Sequence, residues 1–173
     1  MVEIADYNPL WPEAFELEAT RIRAALADRV LRLEHAGSTS VPGLPAKPVI
    51  DIILAVADSA DEPAYAPPLE QAGYVLRIRE PDWYQHRMFN HAETVVNLHV
   101  FTVGCPEIDQ MLKFRDWLRT HPDDRDLYAA VKCDLAKRRW ETIDEYAQAK
   151  SAVVGEILGR ARRRPVKVNF CRE

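Results

Sequence analysis

The stretch His35-Ala36-Gly37-Ser38-Thr39-Ser40-Val41-Pro42-Gly43-Leu44-Pro45-Ala46-Lys47-Pro48-Val49-Ile50-Asp51-Ile52-Ile53-Leu54-Ala55-Val56 decides how the rest of the chain is read. Its first half is turn chemistry. Gly37 and Gly43 permit unusual backbone, serine and threonine supply local hydrogen bonds, and Pro42, Pro45 and Pro48 stop any helix from running through. From Val49 to Ala57 the residues are apolar and largely β-branched, which predicts a strand buried on both faces. One carboxylate, Asp51, stands inside that strand. An ionised group buried without a partner is costly, so Asp51 calls for a metal, a cation or a set of hydrogen-bond donors.

Upstream, Val30 to His35 alternates, with Leu31, Leu33 and His35 on one side and Arg32 and Glu34 on the other, the period of a half-buried strand leading into the loop. Before it, Asn8-Pro9 and Trp11-Pro12 open a helix whose inner face is Phe15, Ala19, Ile22 and Leu26. Downstream, Asp58 to Glu62 is an acidic helix start with Pro63 in the first turn. Leu69 and Ala72 form the buried side, and Gly73 ends it. Tyr74 to Arg79, Gln85 to His91 and Val95 to Val103 read as consecutive antiparallel strands.

Three helices follow. Pro106 to Thr120 carries Ile108, Met111, Leu112 and Leu118 at helical spacing, and His121-Pro122 stops it. Asp123-Asp124 start the next, with Leu127, Val131 and Leu135 inward. Thr142-Ile143-Asp144-Glu145 is a capping box opening a last helix with Tyr146, Lys150, Val153, Val154 and Ile157 on one face. The prediction is an α+β domain over residues 1–164, with a mixed, largely antiparallel sheet, an N-terminal helix and a C-terminal group of helices. Residues 165–173 are either a tail or an edge strand.

At 173 residues and 47% hydrophobic, the chain suits one well-packed domain. Its 23 basic and 27 acidic residues give a net charge of −4, which excludes a general nucleic-acid coat or an anionic-membrane binder and leaves small molecules or proteins as partners. Cys105, Cys133 and Cys171 are odd in number and lack CxxC spacing, so no disulfide framework or zinc site is implied. The N-terminal residues lack the basic head and apolar run of a signal peptide, and no stretch reaches membrane-spanning length. A cytoplasmic, soluble protein is expected.

Three segments resemble the GrpB family of bacterial proteins, placed in the nucleotidyltransferase superfamily with a polymerase-β-like core. They are Asp6-Tyr7-Asn8-Pro9-Leu10-Trp11-Pro12 with Phe15, the loop from Gly37 through Lys47-Pro48 to Asp51, and Phe114-Arg115-Asp116-Trp117-Leu118-Arg119 with His121-Pro122 and Tyr146-x-x-x-Lys150. The resemblance implies a nucleotidyltransferase-like fold and a metal-assisted transfer of a nucleoside monophosphate from a triphosphate to an acceptor. The family also occurs fused to dephospho-CoA kinase in some bacteria. That keeps a second expectation open, a divergent domain that binds a nucleotide or phosphorylated metabolite or supports a protein partner.

Under the resemblance, Gly37 and Ser38 lie beside the phosphates, where backbone N–H groups and a hydroxyl can hold anionic oxygens. Such sites take two acids two residues apart, so that both side chains share one face and bridge divalent ions. This chain has Asp51 at the first position and Ile53 at the second. A magnesium or manganese ion is then held by Asp51 with less help than usual. On the strand from Val95 to Val103, Asn97, His99 and Phe101 share a face, so His99 is the candidate for a later ligand. With His35 it would make a mixed site suited to a transition metal, although each histidine alone is more simply a hydrogen-bonded core residue. Lys47, Arg87, Tyr146 and Lys150 are the candidate phosphate-binding residues. Lys150 sits on an apolar helix face, where lysine either meets an anion or lays its stem along the surface. Lys132, next to Val131, is ambiguous in direction, while His86, His91 and His121 read as surface or turn residues.

Overall fold

The computed structural model describes residues 3–138, 140 and 142–163. The expected tail or edge strand at 165–173 lies outside them. Among the described residues, five strands form one mixed sheet and six α-helices surround it. The strands are β1 (Arg32–Ala36), β2 (Ile50–Val56), β3 (Tyr74–Glu80), β4 (His86–His91) and β5 (Val96–Thr102), in the order β1-β2-β5-β4-β3. Each lies within two residues of the bounds read from the sequence. β3, β4 and β5 are antiparallel neighbours as expected, but β2 runs parallel to β5 and antiparallel to β1. That pairing seats the Asp51 strand between two others, so its backbone groups are satisfied on both edges.

Helix α1 (Trp11–Leu26) has Pro12 in its first turn and buries Ala19, Ile22 and Leu26 on one face of the sheet. Helix α2 (Ala66–Gln71) joins it there, and with Ile52, Leu54, Phe89, Leu98 and Val100 they make the larger core. Pro63 is not in that helix. It occupies a separate 3-10 turn, Glu62–Ala64, because Tyr65 breaks the run at φ −135°, its hydroxyl donating to the Ser59 carbonyl at 2.6 Å. On the other face, α3 (Pro106–Thr120) lays Ile108 and Leu112 against Ile53, Ala55 and Phe101.

Helix α4 (Pro122–Ala136) turns Val131 and Leu135 inward as expected but not Leu127. Leu127 is exposed, while Tyr128, Lys132, Leu135 and Ala136 are buried. The rotation follows Tyr128, whose ring meets Phe114 edge-on at 5.2 Å within a cluster containing Val41, Leu44 and Leu118. Thr142 caps the helix as expected, its hydroxyl accepting the Glu145 N–H at 3.2 Å. The helix it opens is two, α5 (Ile143–Ala149) and α6 (Ser151–Arg163). The chain tightens between them, where the Lys150 N–H bonds the Ala147 carbonyl three residues back. No helix of the described residues is long and apolar enough to cross a membrane.

Candidate functional site

Sheet register sorts the polar residues onto two faces. Asp51 lies opposite Asn97, Ile53 opposite His99, and on β4 Asn90 faces Asn97 while Met88 faces His99, so Asp51, Asn97, His99 and Asn90 share one face. His35 is opposite Ile52 and Arg87 opposite Val100, which places both on the other face with Leu54, Leu98 and Phe89.

Gly37 ends β1 and turns the chain over Asp51. Its φ of +65° with ψ −174° is a glycine conformation, and a Cβ there would lie 2.3 Å from Asp51 Oδ2. The carboxylate therefore packs directly on the glycine. A 3-10 turn, Ser38–Ser40, follows, with the Ser40 hydroxyl donating to the Gly37 carbonyl at 2.6 Å. Helix α3 clamps this loop from outside. Arg119 donates from Nε and Nη2 to the Ser40 carbonyl at 3.0 and 2.8 Å, and Arg115 Nη1 donates to the His35 carbonyl at 3.0 Å. From α4, Tyr128 lies beside Ser38 along a small neighbouring pocket.

The open side of this face is a cleft of about 300 Å³ whose lining includes Ser38, Lys47, Asp51, Asn97, His99, Lys132, Tyr146 and Lys150. Three lysines converge on it from the Asp51 loop, α4 and the α5–α6 junction. Lys132 is 2% exposed, its ammonium donating to the Pro45 carbonyl at 2.6 Å and standing 4.8 Å from the Tyr128 ring. Burial, with repulsion from Lys150, brings its pKa down to about 7. Lys150 stands 4.5 Å from the Tyr146 ring centre. Burial holds its pKa below the usual lysine range, Asp51 opposing and Lys47 reinforcing. Among the described residues, none of the three lysines forms an ion pair with a carboxylate.

Asp51 is held by a line of amides. Asn90 Nδ2 donates to Asn97 Oδ1 at 2.9 Å, and Asn97 Nδ2 donates to Asp51 Oδ1 at 3.0 Å. His99 Nε2 is 3.6 Å from the same oxygen. Behind His99 lies His86, with its Nε2 3.0 Å from His99 Nδ1 and its Nδ1 2.7 Å from Glu80 Oε2.

Of the candidate site residues, Gly37, Ser38, Lys47, Asp51, His99, Tyr146 and Lys150 gather at this cleft or border it. His35 and Arg87 do not. His35 stacks on Phe15 at 4.9 Å, its Nε2 lies 3.1 Å from the Thr39 hydroxyl, and burial with the Arg119 charge lowers its pKa to about 4. It cannot join Asp51 and His99 around one ion, because the sheet lies between. Arg87 is buried and donates from Nε to Glu62 Oε1 at 2.6 Å. Glu62, bonded also by Arg79, has its pKa drawn down to about 2. The charge of Arg87 is thus matched inside the fold.

Ile53, at the second acid position, is fully buried under α3 with Phe101, Ile108 and Leu112. The histidines read as surface residues are corrected too: His86 is 3% and His91 8% exposed, the latter contacting Arg21. Lys132, Tyr128 and the Glu80–His86 pair escaped the sequence reading as site residues. The i, i+4 spacing of Tyr128 and Lys132 was the available signal. Among the described residues, no group of three His, Cys, Asp or Glu side chains converges as a metal cage. Asp51 and His99 could supply one oxygen and one nitrogen donor, a mixed pair that would suit a transition ion such as manganese better than magnesium.

The fold and cleft together define an α+β domain with a carboxylate and lysines on the open face of a mixed sheet. The chain belongs to the GrpB family, whose model, described as GrpB protein, matches residues 1–160. A UPF0157 protein of Halalkalibacterium halodurans is 56% identical over 160 residues, covering 92% of this chain and 82% of that one. A UPF0157 protein of Streptomyces coelicolor is 42% identical, covering 92% and 84%. A protein named dephospho-CoA kinase from Mycobacterium tuberculosis is 33% identical over 172 residues, but the match covers 83% of this chain and only 42% of the longer one. The crystal structure of conserved protein GrpB from Enterococcus faecalis superposes with a TM-score of 0.81 at 31% identity, over 92% of this chain and 96% of that one.

Proposed function

We propose that the cleft binds the phosphate groups of a nucleoside triphosphate or another phosphorylated small molecule, together with one divalent cation at Asp51. The observation that carries this reading is the convergence of Lys47, Lys132 and Lys150, without carboxylate partners among the described residues, on a cleft that also holds Asp51 and Ser38. A buried lysine near neutrality regains its proton when a polyanion approaches, and the gain in charge-assisted hydrogen bonds offsets its desolvation. The cation would bind Asp51 and His99 and neutralise phosphate charge.

A second reading is nucleotidyl transfer, in which an acceptor oxygen bonds the α-phosphorus and pyrophosphate leaves. The Gly37-Ser38 turn packed against Asp51 favours it; Ile53 buried in the core, where a second acid would be needed, favours binding alone. The mycobacterial relatives named dephospho-CoA kinase, in which a matching region is part of a longer chain, accord with a partner-supporting form of that binding role.

The test has two parts. Calorimetry with a panel of nucleoside triphosphates, with and without magnesium or manganese, reads binding; pyrophosphate release in the presence of candidate acceptors reads transfer. Metal-dependent binding that is lost in Asp51→Asn supports the proposal, and release abolished by the same variant promotes transfer. Binding that is indifferent to both metal and Asp51→Asn moves the site elsewhere.

A further inference from the structure

Glu80, His86 and His99 form a line from the end of β3 to the cleft, and each contact fixes the direction of the next. The ionised Glu80 carboxylate only accepts hydrogen bonds, so its 2.7 Å contact requires the proton of His86 on Nδ1. His86 is buried between the rings of Trp83 and Phe101, 5.0 and 4.8 Å away, and its neutral form has a single N–H. With that proton given to Glu80, His86 Nε2 carries a lone pair. Across the 3.0 Å contact His99 Nδ1 must then be the donor, which leaves His99 Nε2 bare.

The reverse tautomer would set two lone pairs against each other at Glu80. It would aim an N–H at Asp51 Oδ1 from 3.6 Å, an attraction too distant to be a hydrogen bond and weaker than the 2.7 Å bond lost at Glu80. Asp51 Oδ1 is fixed in the same manner from the other direction. Asn90 Nδ2 donates to both Asn97 Oδ1 and the Val96 carbonyl, so Asn97 presents its amide hydrogens to Asp51.

We propose that Glu80 and His86 are positioning residues that hold His99 in its Nδ1–H tautomer, so that the Nε2 lone pair faces the cleft beside Asp51 Oδ1. The use of that lone pair as a cation ligand rests on the binding reading above; the tautomer itself does not. Outer partners of this kind orient a histidine ligand and commonly set metal affinity within a factor of about 10–100.

Long-range proton–nitrogen correlation spectra of the metal-free chain, labelled with nitrogen-15 in its histidines, read the tautomer directly. Wild type is expected to show His99 protonated at Nδ1. Glu80→Ala removes a half-exposed carboxylate, and His86→Phe keeps a ring between Trp83 and Phe101; each should move His99 toward the Nε2–H form. Wild-type His99 protonated at Nε2, or a tautomer unchanged in both variants, overturns the proposal. Titration with manganese alone then separates the two ideas. A fall in affinity of about 10–100-fold in both variants is expected. Absence of manganese binding in wild type, with the tautomer as described, sinks the cation reading and leaves the positioning roles standing.

Discussion

Two regions of the sheet, the core under α1 and α2 and the cleft at Asp51, carry similar side chains and use them in opposite ways. On the face under α1 and α2, charges close on one another: Arg87 and Arg79 on Glu62, and Arg21 on Glu18, whose carboxylate Tyr74 also bonds. On the face toward α4 and the α5–α6 junction, Asp51 is tied by Asn97, and the lysines remain without carboxylate partners among the described residues. The first arrangement fixes the core. The second leaves unspent charge facing an open cleft, which costs stability and is what a binding site for anions requires.

The sharpest way to break this comparison is to put a second acid where two-metal sites have one. Ile53→Asp would bury a carboxylate among Phe101, Ile108 and Leu112, so the expected outcome is a loss of about 3–5 kcal/mol in denaturant unfolding rather than a stronger metal site. Stability near wild type with raised manganese affinity would show that position 53 belongs to the cleft.

Two glycines give the next contrast. Gly37→Ala meets both a backbone reserved for glycine and Asp51 Oδ2 at 2.3 Å, for an expected loss of about 2–4 kcal/mol together with weakened cation binding. Gly43 also has positive φ but open space around it, so Gly43→Ala should cost only about 1 kcal/mol and leave binding intact. Equal losses in thermal unfolding of the two variants would remove Asp51 from the explanation.

Lysine and arginine variants on the two faces should differ in sign. Lys132→Met removes a buried charge and is expected to stabilise the fold by about 1 kcal/mol while weakening phosphate binding about 10–100-fold. Arg87→Met leaves Glu62 with only Arg79 and should destabilise by about 1–3 kcal/mol without changing affinity. Paired unfolding curves and titrations check both signs.

The last contrast is with pH. The Lys132 pKa is lowered on folding, from its ordinary 10.5 to about 7, so between those values the unfolded chain binds more protons and stability rises with pH; below about 7 that rise is absent. Phosphate affinity should run the other way, falling as pH climbs through 7, with proton uptake on binding. Calorimetry in buffers of differing ionisation heat reads that uptake, and Lys132→Met should reduce it to the part owed to Lys150 and the ligand's own phosphate.

The strands were legible because β-branched alternation marks them within two residues, and the Gly-Ser loop because glycine and proline leave few alternatives. What alternation cannot supply is register. His35, Asp51, Arg87 and His99 each sit on a strand whose own two sides are plain, yet which side faces the cleft depends on Ala36 pairing with Asp51, Asp51 with Asn97, and Arg87 with Val100. His86 and His91 looked exposed because rings from other strands, Phe101 on β5 and Tyr74 on β3, help to bury them. Lys132 was hidden by a rotation of α4 that the packing of Tyr128 on Phe114 decides.

The most direct test is titration of inorganic tripolyphosphate with manganese into wild type, Lys132→Met and Arg87→Lys, each first shown to be folded. Wild type and Arg87→Lys should bind alike, and Lys132→Met about 10–100-fold more weakly. Full affinity in Lys132→Met with binding lost in Arg87→Lys, or no binding by wild type, would contradict the assignment of the anion site to the Asp51 face.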